Sequence, residues 1–282
     1  MINIISNLNE NAKLEELYNF NHVVAWFLHD AFKKIGVESR LINDYYLLSH
    51  NPPKSTHTLI ISAAAMSYTR SKPSYLKKIR NYSKEKVALY LDADFSGWDK
   101  YFDYIFTVVK PRTQNPKYVY AGWGADPTYC FPEQNEKAVF LDALMWGKYS
   151  GTLDHIYEIY DKTLPTLGLK AYSVLPTYHN YRRIPWVEMQ KILRKCHYYC
   201  CTQVGESGLI RIEAATCGAL LVVPKPMYRP RTMASLEHII WETKEDLIAA
   251  LKLETNPKEI SEKAKKHSWN LVAQRIINRI SR

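Results

Sequence analysis

The sequence predicts an α/β fold of two doubly wound parallel sheets, and three observations carry the prediction. Short runs rich in Val, Ile and Leu recur along the chain, apolar on both faces as strands covered by helices on each side must be. Longer segments with apolar residues three and four apart separate them, the alternation that builds a parallel sheet with crossover helices. A turn-rich stretch near the middle is followed by a second round of the same pattern. It divides 282 residues into halves of roughly 140, each long enough for its own core.

In chain order, residues 2–6 (INIIS) read as a buried strand. Residues 14–35 place Leu17, Val24, Phe27, Leu28, Ala31 and Ile35 at helical spacing, closed by Gly36. Strands follow at 38–42, 58–62, 87–91, 104–108 and 118–121, with a basic helix at 73–82. Residues 122–136 (GWGADPTYCFPEQNE) are rich in turn formers and read as a domain linker. The second round runs strand 137–141, helix 151–164, strand 170–175, helix 185–196, strand 197–202, helix 208–217 and strand 219–223.

Composition narrows the class. With 46% hydrophobic and 23% charged residues, disorder, collagen-like repeats and a disulfide mini-scaffold are excluded. No run approaches the roughly 20 apolar residues of a membrane span, and the first residues lack a signal-peptide pattern. The expectation is a soluble, cytoplasmic monomer that does not engage a membrane. Five cysteines (Cys130, Cys196, Cys200, Cys201, Cys217) read as buried thiols. The trio 196, 200, 201 lacks C-x2-C spacing, and His197 beside it reads as structural, so no metal site is assigned. The net charge of +10 suits either a polyanionic partner or a lysine-rich solvated surface.

The chemistry concentrates in Gly205 to Pro224, GESGLIRIEAATCGALLVVP. Ser207 or Gly208 can start a helix, Gly218 ends it in a left-handed cap, and an apolar strand follows. In a doubly wound domain ligands bind outside the carboxyl ends of strands, where helix starts offer free N–H groups to phosphates. Glu213, less than two turns into this helix, can accept hydrogen bonds from ribose hydroxyls. Taken alone, a helix glutamate reads more simply as a solvated one.

This stretch resembles the donor-binding segment of the GT-B glycosyltransferases: a glycine turn, an apolar helical turn, Glu, small residues, Cys-Gly and an apolar strand. Gly208, Glu213, Ala214, Cys217, Gly218 and the run to Val223 match. Many members carry a second glutamate eight positions upstream; here Gly205 stands there, with Glu206 one residue later. Residues 185–193 (PWVEMQKIL) resemble the helix after the nucleotide-base loop, which places Arg183 and Ile184 against the base. Residues 238–251 (HIIWETKEDLIAAL) resemble the strand and helix after the donor site, and 267–280 (HSWNLVAQRIINRI) the terminal helix that crosses back to the N-domain. The resemblance implies two Rossmann-like domains facing across a cleft, an acceptor domain at 1–125 and a donor domain at 136–266, with 267–282 returning to the first.

Residues 58–98 resemble, more narrowly, the DNA β-glucosyltransferases of T-even phages, whose matching strand end carries an aspartate general base. Asp94 is the first choice for that role here and Asp92 the reserve; an Asp at such a junction also commonly just binds backbone N–H groups. The same resemblance puts Lys148 on the donor diphosphate, with Gly147 and Gly151 letting backbone approach it, and Arg211 as a further phosphate ligand. Between 70 and 86 lie seven basic residues, among them Arg70, Lys72, Lys77, Lys78 and Arg80, with Tyr75 and Tyr82 interleaved and Tyr68 just before. In this reading they hold DNA phosphates and stack on a flipped base; the plainer reading is a solvated amphipathic helix. Lys110, Arg112, Lys117, Arg229 and Arg231 extend the patch.

The resemblance thus implies an inverting enzyme moving a sugar from a UDP-sugar, first of all UDP-glucose, onto hydroxymethylated pyrimidines in double-stranded phage DNA, in the host cytoplasm. A divalent cation is compatible with that chemistry but no motif marks a site, since Asp92-Ala93-Asp94 faces the acceptor. Two other readings stay open: a retaining GT-B enzyme acting on a surface glycan or lipid-linked sugar, and a non-catalytic GT-B-like DNA-binding module.

Overall fold

In the computed structural model the described residues are 1–8, 11–18, 20–61, 73–91, 97–133, 136–142, 151–173, 184–202 and 208–282. They form two compact units. The first comprises Met1–Gly124 with Ser268–Arg282, the second Ala125–His267.

In the first unit, β1 (Ile2–Ser6), β2 (Ser39–Asn43), β3 (His57–Ile61), β4 (Val87–Leu91), β5 (Tyr104–Thr107) and β6 (Tyr118–Tyr120) form one sheet in the order β2-β1-β3-β4-β5-β6, parallel throughout. β1 and β3 are buried at every residue, which explains why their apolar side chains fall on both faces rather than alternating with exposed polar ones. The helical spacing at 14–35 resolves into a short 3-10 turn at Leu14–Glu16 and then α1 (Phe20–Lys34), ended by Gly36 at φ +78. Two helices follow β2 and β3 in the chain: α2 (Tyr46–Ser49) and α3 (Pro73–Tyr82).

The second unit repeats the winding. Strands β7 (Ala138–Asp142), β8 (Lys170–Ser173), β9 (Tyr198–Cys201), β10 (Leu220–Pro224) and β11 (His238–Trp241) are ordered β11-β10-β9-β7-β8, again all parallel. Counted within the unit this is 2-1-3-4-5, as for the first five strands of the other sheet. Its helices are α4 (Gly151–Thr163), α5 (Trp186–Leu193), α6 (Leu209–Thr216), α7 (Pro230–Met233), α8 (Lys244–Ala250) and α9 (Pro257–Ala264). Tyr160 on α4 is fully buried; its hydroxyl lies 3.3 Å from the Val222 carbonyl and accepts from Trp241 Nε1 at 3.0 Å, joining α4 to β10 and β11.

The last helix, α10 (Trp269–Ile280), packs in the first unit. Ser268 caps its start by accepting from Leu271 N. Trp269 stacks on Phe27 of α1 with centroids 5.9 Å apart, and meets Trp123 edge-on at 6.3 Å. Arg275 donates to the Ala121 carbonyl at 2.8 Å and Arg279 to that of Pro116 at 3.0 Å. The stretch 122–136 changes unit between Gly124 and Ala125, yet it is no loose tether: Ala125 N bonds His267 O at 2.8 Å, and Cys130 is buried.

Gly124 shows how close this docking is. A Cβ there would sit 2.3 Å from Trp269 N and 2.6 Å from the Ser268 carbonyl carbon, both backbone atoms. Gly124→Ala is expected to destabilise the first unit by roughly 1–3 kcal/mol, the cost of forcing extra volume into a packed site, read as an earlier midpoint in denaturant unfolding.

A buried carboxylate in the second unit

The winding itself locates a site. Strand order reverses between β7 and β9, and in such sheets ligands gather beyond the carboxyl ends at that switch. The next helix after β9 is α6, entered through Gly208. Gly218 ends it at φ +88, and a Cβ there would lie 2.8 Å from Pro257 O and 2.9 Å from Pro132 Cβ. Both the left-handed backbone and the close approach require glycine.

Glu213 is on α6 and is 1% exposed. Its Oε1 accepts from Trp186 Nε1 at 2.8 Å and its Oε2 from Gln190 Nε2 at 3.0 Å, both donors on α5. Gln190 is also buried, and its own Oε1 accepts from Cys130 Sγ at 3.2 Å. Tyr129 meets the Trp186 ring edge-on at 5.4 Å. Burial pushes the Glu213 carboxyl up to about 7, against the lowering pull of Trp186 and Gln190. The solvated-glutamate reading is therefore excluded. This is a desolvated acid held by two N–H donors, with acceptor positions to spare on each oxygen.

Ile184, half-buried, lies two residues before α5. Arg211 is 1% exposed at the start of α6, its Cδ 2.7 Å from where a Gly208 Cβ would stand. It therefore folds against the glycine turn. Gly147, Lys148, Arg183, Glu206 and Ser207 lie outside the described residues, as do Asp92, Asp94, Arg70 and Lys72.

Among the described residues of the basic stretch, 73–86, some positive side chains are spent on bonds within the unit. α3 starts after β3 and returns toward the amino ends of β4 and β5. There Arg80 pairs with Asp103 at 3.1 Å and donates to Tyr101 O at 2.6 Å, while Asp103 itself binds Val87 N, at the first residue of β4. Lys78 donates to Leu47 O at 2.8 Å; Lys77 is exposed. Tyr75 is 5% exposed inside the core of the unit, so it has no surface ring to offer a base. Lys117 and Arg229 of the wider patch are likewise bonded to neighbouring carbonyls.

One acid escaped the sequence reading. Asp44 follows β2 directly, is 3% exposed, and its backbone N–H binds Ser6 O at the end of β1 at 2.7 Å. Burial raises its carboxyl above the usual range, opposed by backbone N–H groups, and Oδ1 has no partner. The signal was an Asp at a strand end, the feature that singled out Asp92 and Asp94.

No protein-family model matches the chain, and no curated protein matches it in sequence. Solved structures do. A glycosyltransferase of avilamycin A biosynthesis superposes with TM-score 0.60 at 11% identity, over 100% of this chain and 97% of its own. Sucrose-phosphate synthase from Thermosynechococcus elongatus gives 0.62 at 10% identity, over 98% and 97%. The Anabaena protein HepE, solved with UDP-glucose, gives 0.56 at 9%, over 99% of each. The fold is GT-B. Among the described residues no cluster of three potential metal ligands occurs, and no helix is long and apolar enough to cross a membrane.

The Glu213 site titrates in a definite direction. An acid whose folded pKa is raised to about 7 lends stability that is complete below its unfolded value near 4.3 and is lost as pH rises through 7. Glu213→Gln is expected to remove this component, flattening stability between pH 5 and 8 in denaturant titrations.

Proposed function

We propose that the protein is an inverting glycosyltransferase that moves glucose from UDP-glucose to hydroxymethylated pyrimidines in double-stranded DNA. The observation that carries the donor half is Glu213, a buried acid with spare acceptor positions on the helix that starts at Gly208. The ribose hydroxyls donate to Glu213, and the diphosphate takes the N–H groups at the helix start with Ser207, Arg211, Lys148 and the backbone of Gly147. Arg183 and Ile184 meet the base, and Glu206 the sugar. A GT-B neighbour solved with UDP-glucose supports this donor.

Asp94, or Asp92 in its place, takes the proton of the acceptor hydroxymethyl group. The freed oxygen bonds to the anomeric carbon as the bond from that carbon to the diphosphate oxygen breaks, and UDP leaves with the electron pair. Arg70, Lys72 and Lys77 supply DNA phosphate contacts. The internal bonds of Lys78 and Arg80 and the burial of Tyr75 weigh against a DNA surface there and favour a second reading, a retaining enzyme whose acceptor is a glycan or lipid-linked sugar.

Incubation with a panel of nucleotide sugars and hydroxymethylated DNA, read by mass spectrometry, is expected to show a glucose adduct from UDP-glucose. Asp94→Asn, or Asp92→Asn if the base is the other acid, is expected to abolish transfer while leaving UDP affinity intact; full activity in both variants overturns the base assignment. Adducts on glycans and none on DNA select the second reading. Because hydroxyls donate best to an ionised carboxylate, UDP binding is expected to strengthen as pH rises through 7, measured by calorimetry, and to be pH-independent and weaker in Glu213→Gln.

A further inference from the structure

The second unit carries a cavity at the opposite edge of its sheet. It has a volume of about 520 Å³, within the range of small-molecule sites. Lys137 immediately precedes β7, Leu169 precedes β8, and His197 and Tyr198 stand at the start of β9, so the floor is built on the amino ends of the strands. The loop after α8 forms a wall, fixed where Tyr198 Oη donates to Leu253 O at 2.6 Å. Glu213 follows the carboxyl end of β9; this cavity lies at its other end.

The lining has two characters. Leu167, Leu169 and Leu251 are apolar, and Leu253 beside them is 50% exposed. Lys137 and Lys252 add two ammonium groups against one acid, Glu254. Nearby lysines are paired: Glu136 holds both Lys170 at 3.2 Å and Lys195 at 3.7 Å. Lys137 and Lys252 form no ion pair among the described residues, and the buried atoms His197 Nδ1 and Thr255 Oγ1 have no hydrogen-bond partner. Buried polar atoms without partners ask for one, and an unpaired positive excess above an apolar floor selects its charge.

We propose that this cavity binds a small amphipathic anion, an apolar body bearing one carboxylate, phosphate or sulfate group, independently of the nucleotide site. The anionic group is drawn to Lys137 and Lys252, and the apolar body covers the leucines.

The test uses the full chain and 8-anilinonaphthalene-1-sulfonate as a fluorescent probe. Saturable one-site binding is expected, displaced by octyl sulfate but not by octanol. Binding is expected to weaken roughly tenfold in Lys137→Glu/Lys252→Glu, the scale on which two exposed attractions turned into repulsions act, and to persist in Lys137→Arg/Lys252→Arg. Leu253→Ser, at a half-exposed position where folding is not at stake, is expected to weaken it without altering the octyl sulfate preference. Absence of saturable binding, equal displacement by octanol, unchanged affinity in the glutamate variant, or displacement by UDP each overturns the proposal. A chain that binds the probe as described but no UDP leaves this site standing and counts against the proposed function alone.

Discussion

Much of the second unit follows from one constraint: a carboxyl group buried in a helix must be given N–H donors. Glu213 takes them from Trp186 and Gln190, so α5 has to present one face to α6. Gln190 spends its amide N–H there, which leaves its carbonyl oxygen to be satisfied by Cys130. That requirement draws the turn-rich segment after Gly124 into the unit. Gly218 then lets the end of α6 approach Pro132 and Pro257 closely enough to exclude water. Removing one N–H donor would leave a buried acceptor unpaired, which costs more than the bond itself contributes.

The two units share their winding, so the same rule places their functional edges: beyond the carboxyl ends of the strands, near the point where strand order reverses. In a parallel sheet each crossover helix runs back toward the amino edge. A ten-residue helix such as α3 spans about 15 Å, so its first and last residues serve opposite edges. Lys77 and Arg80 lie only three residues apart, yet Arg80 is tied to Asp103 and Tyr101 while Lys77 is exposed. A count of positive charges along the chain therefore overstates what any one surface can offer a polyanion.

What the sequence displayed was whatever depends on near neighbours. β1, β3, β4 and β10 stand out because burial on both faces leaves no polar alternation, and Gly36 and Gly218 mark helix ends because a positive φ there admits little else. The start of α1 was less legible, since the apolar residues of the preceding 3-10 turn happen to continue its period. Partnerships were not legible at all. Trp186 and Glu213 are 27 residues apart, and nothing local to either predicts the other. Tyr75 follows the same logic: in a basic helix it looked like a surface aromatic, and only its packing with Ile5, Ile60 and Leu89 shows a core residue.

The raised pKa of Glu213 bears on which ligands suit it. Two N–H donors occupy one lone pair on each oxygen and leave the others directed elsewhere. A nearby diphosphate adds negative charge, which pushes the acid further toward its neutral form, whereas hydroxyl donors favour the carboxylate. In the proposed donor pose the ribose hydroxyls touch Glu213 while the diphosphate takes the helix start, so the hydroxyls decide and the ionised carboxylate is the form that holds the nucleotide. A carboxylate ligand has no hydroxyl to donate and meets repulsion whenever Glu213 is ionised. In the proposed donor role, an acid raised to about 7 would favour ribose hydroxyls over simple anions at the same position, a preference that a hydrated, exposed glutamate would show less.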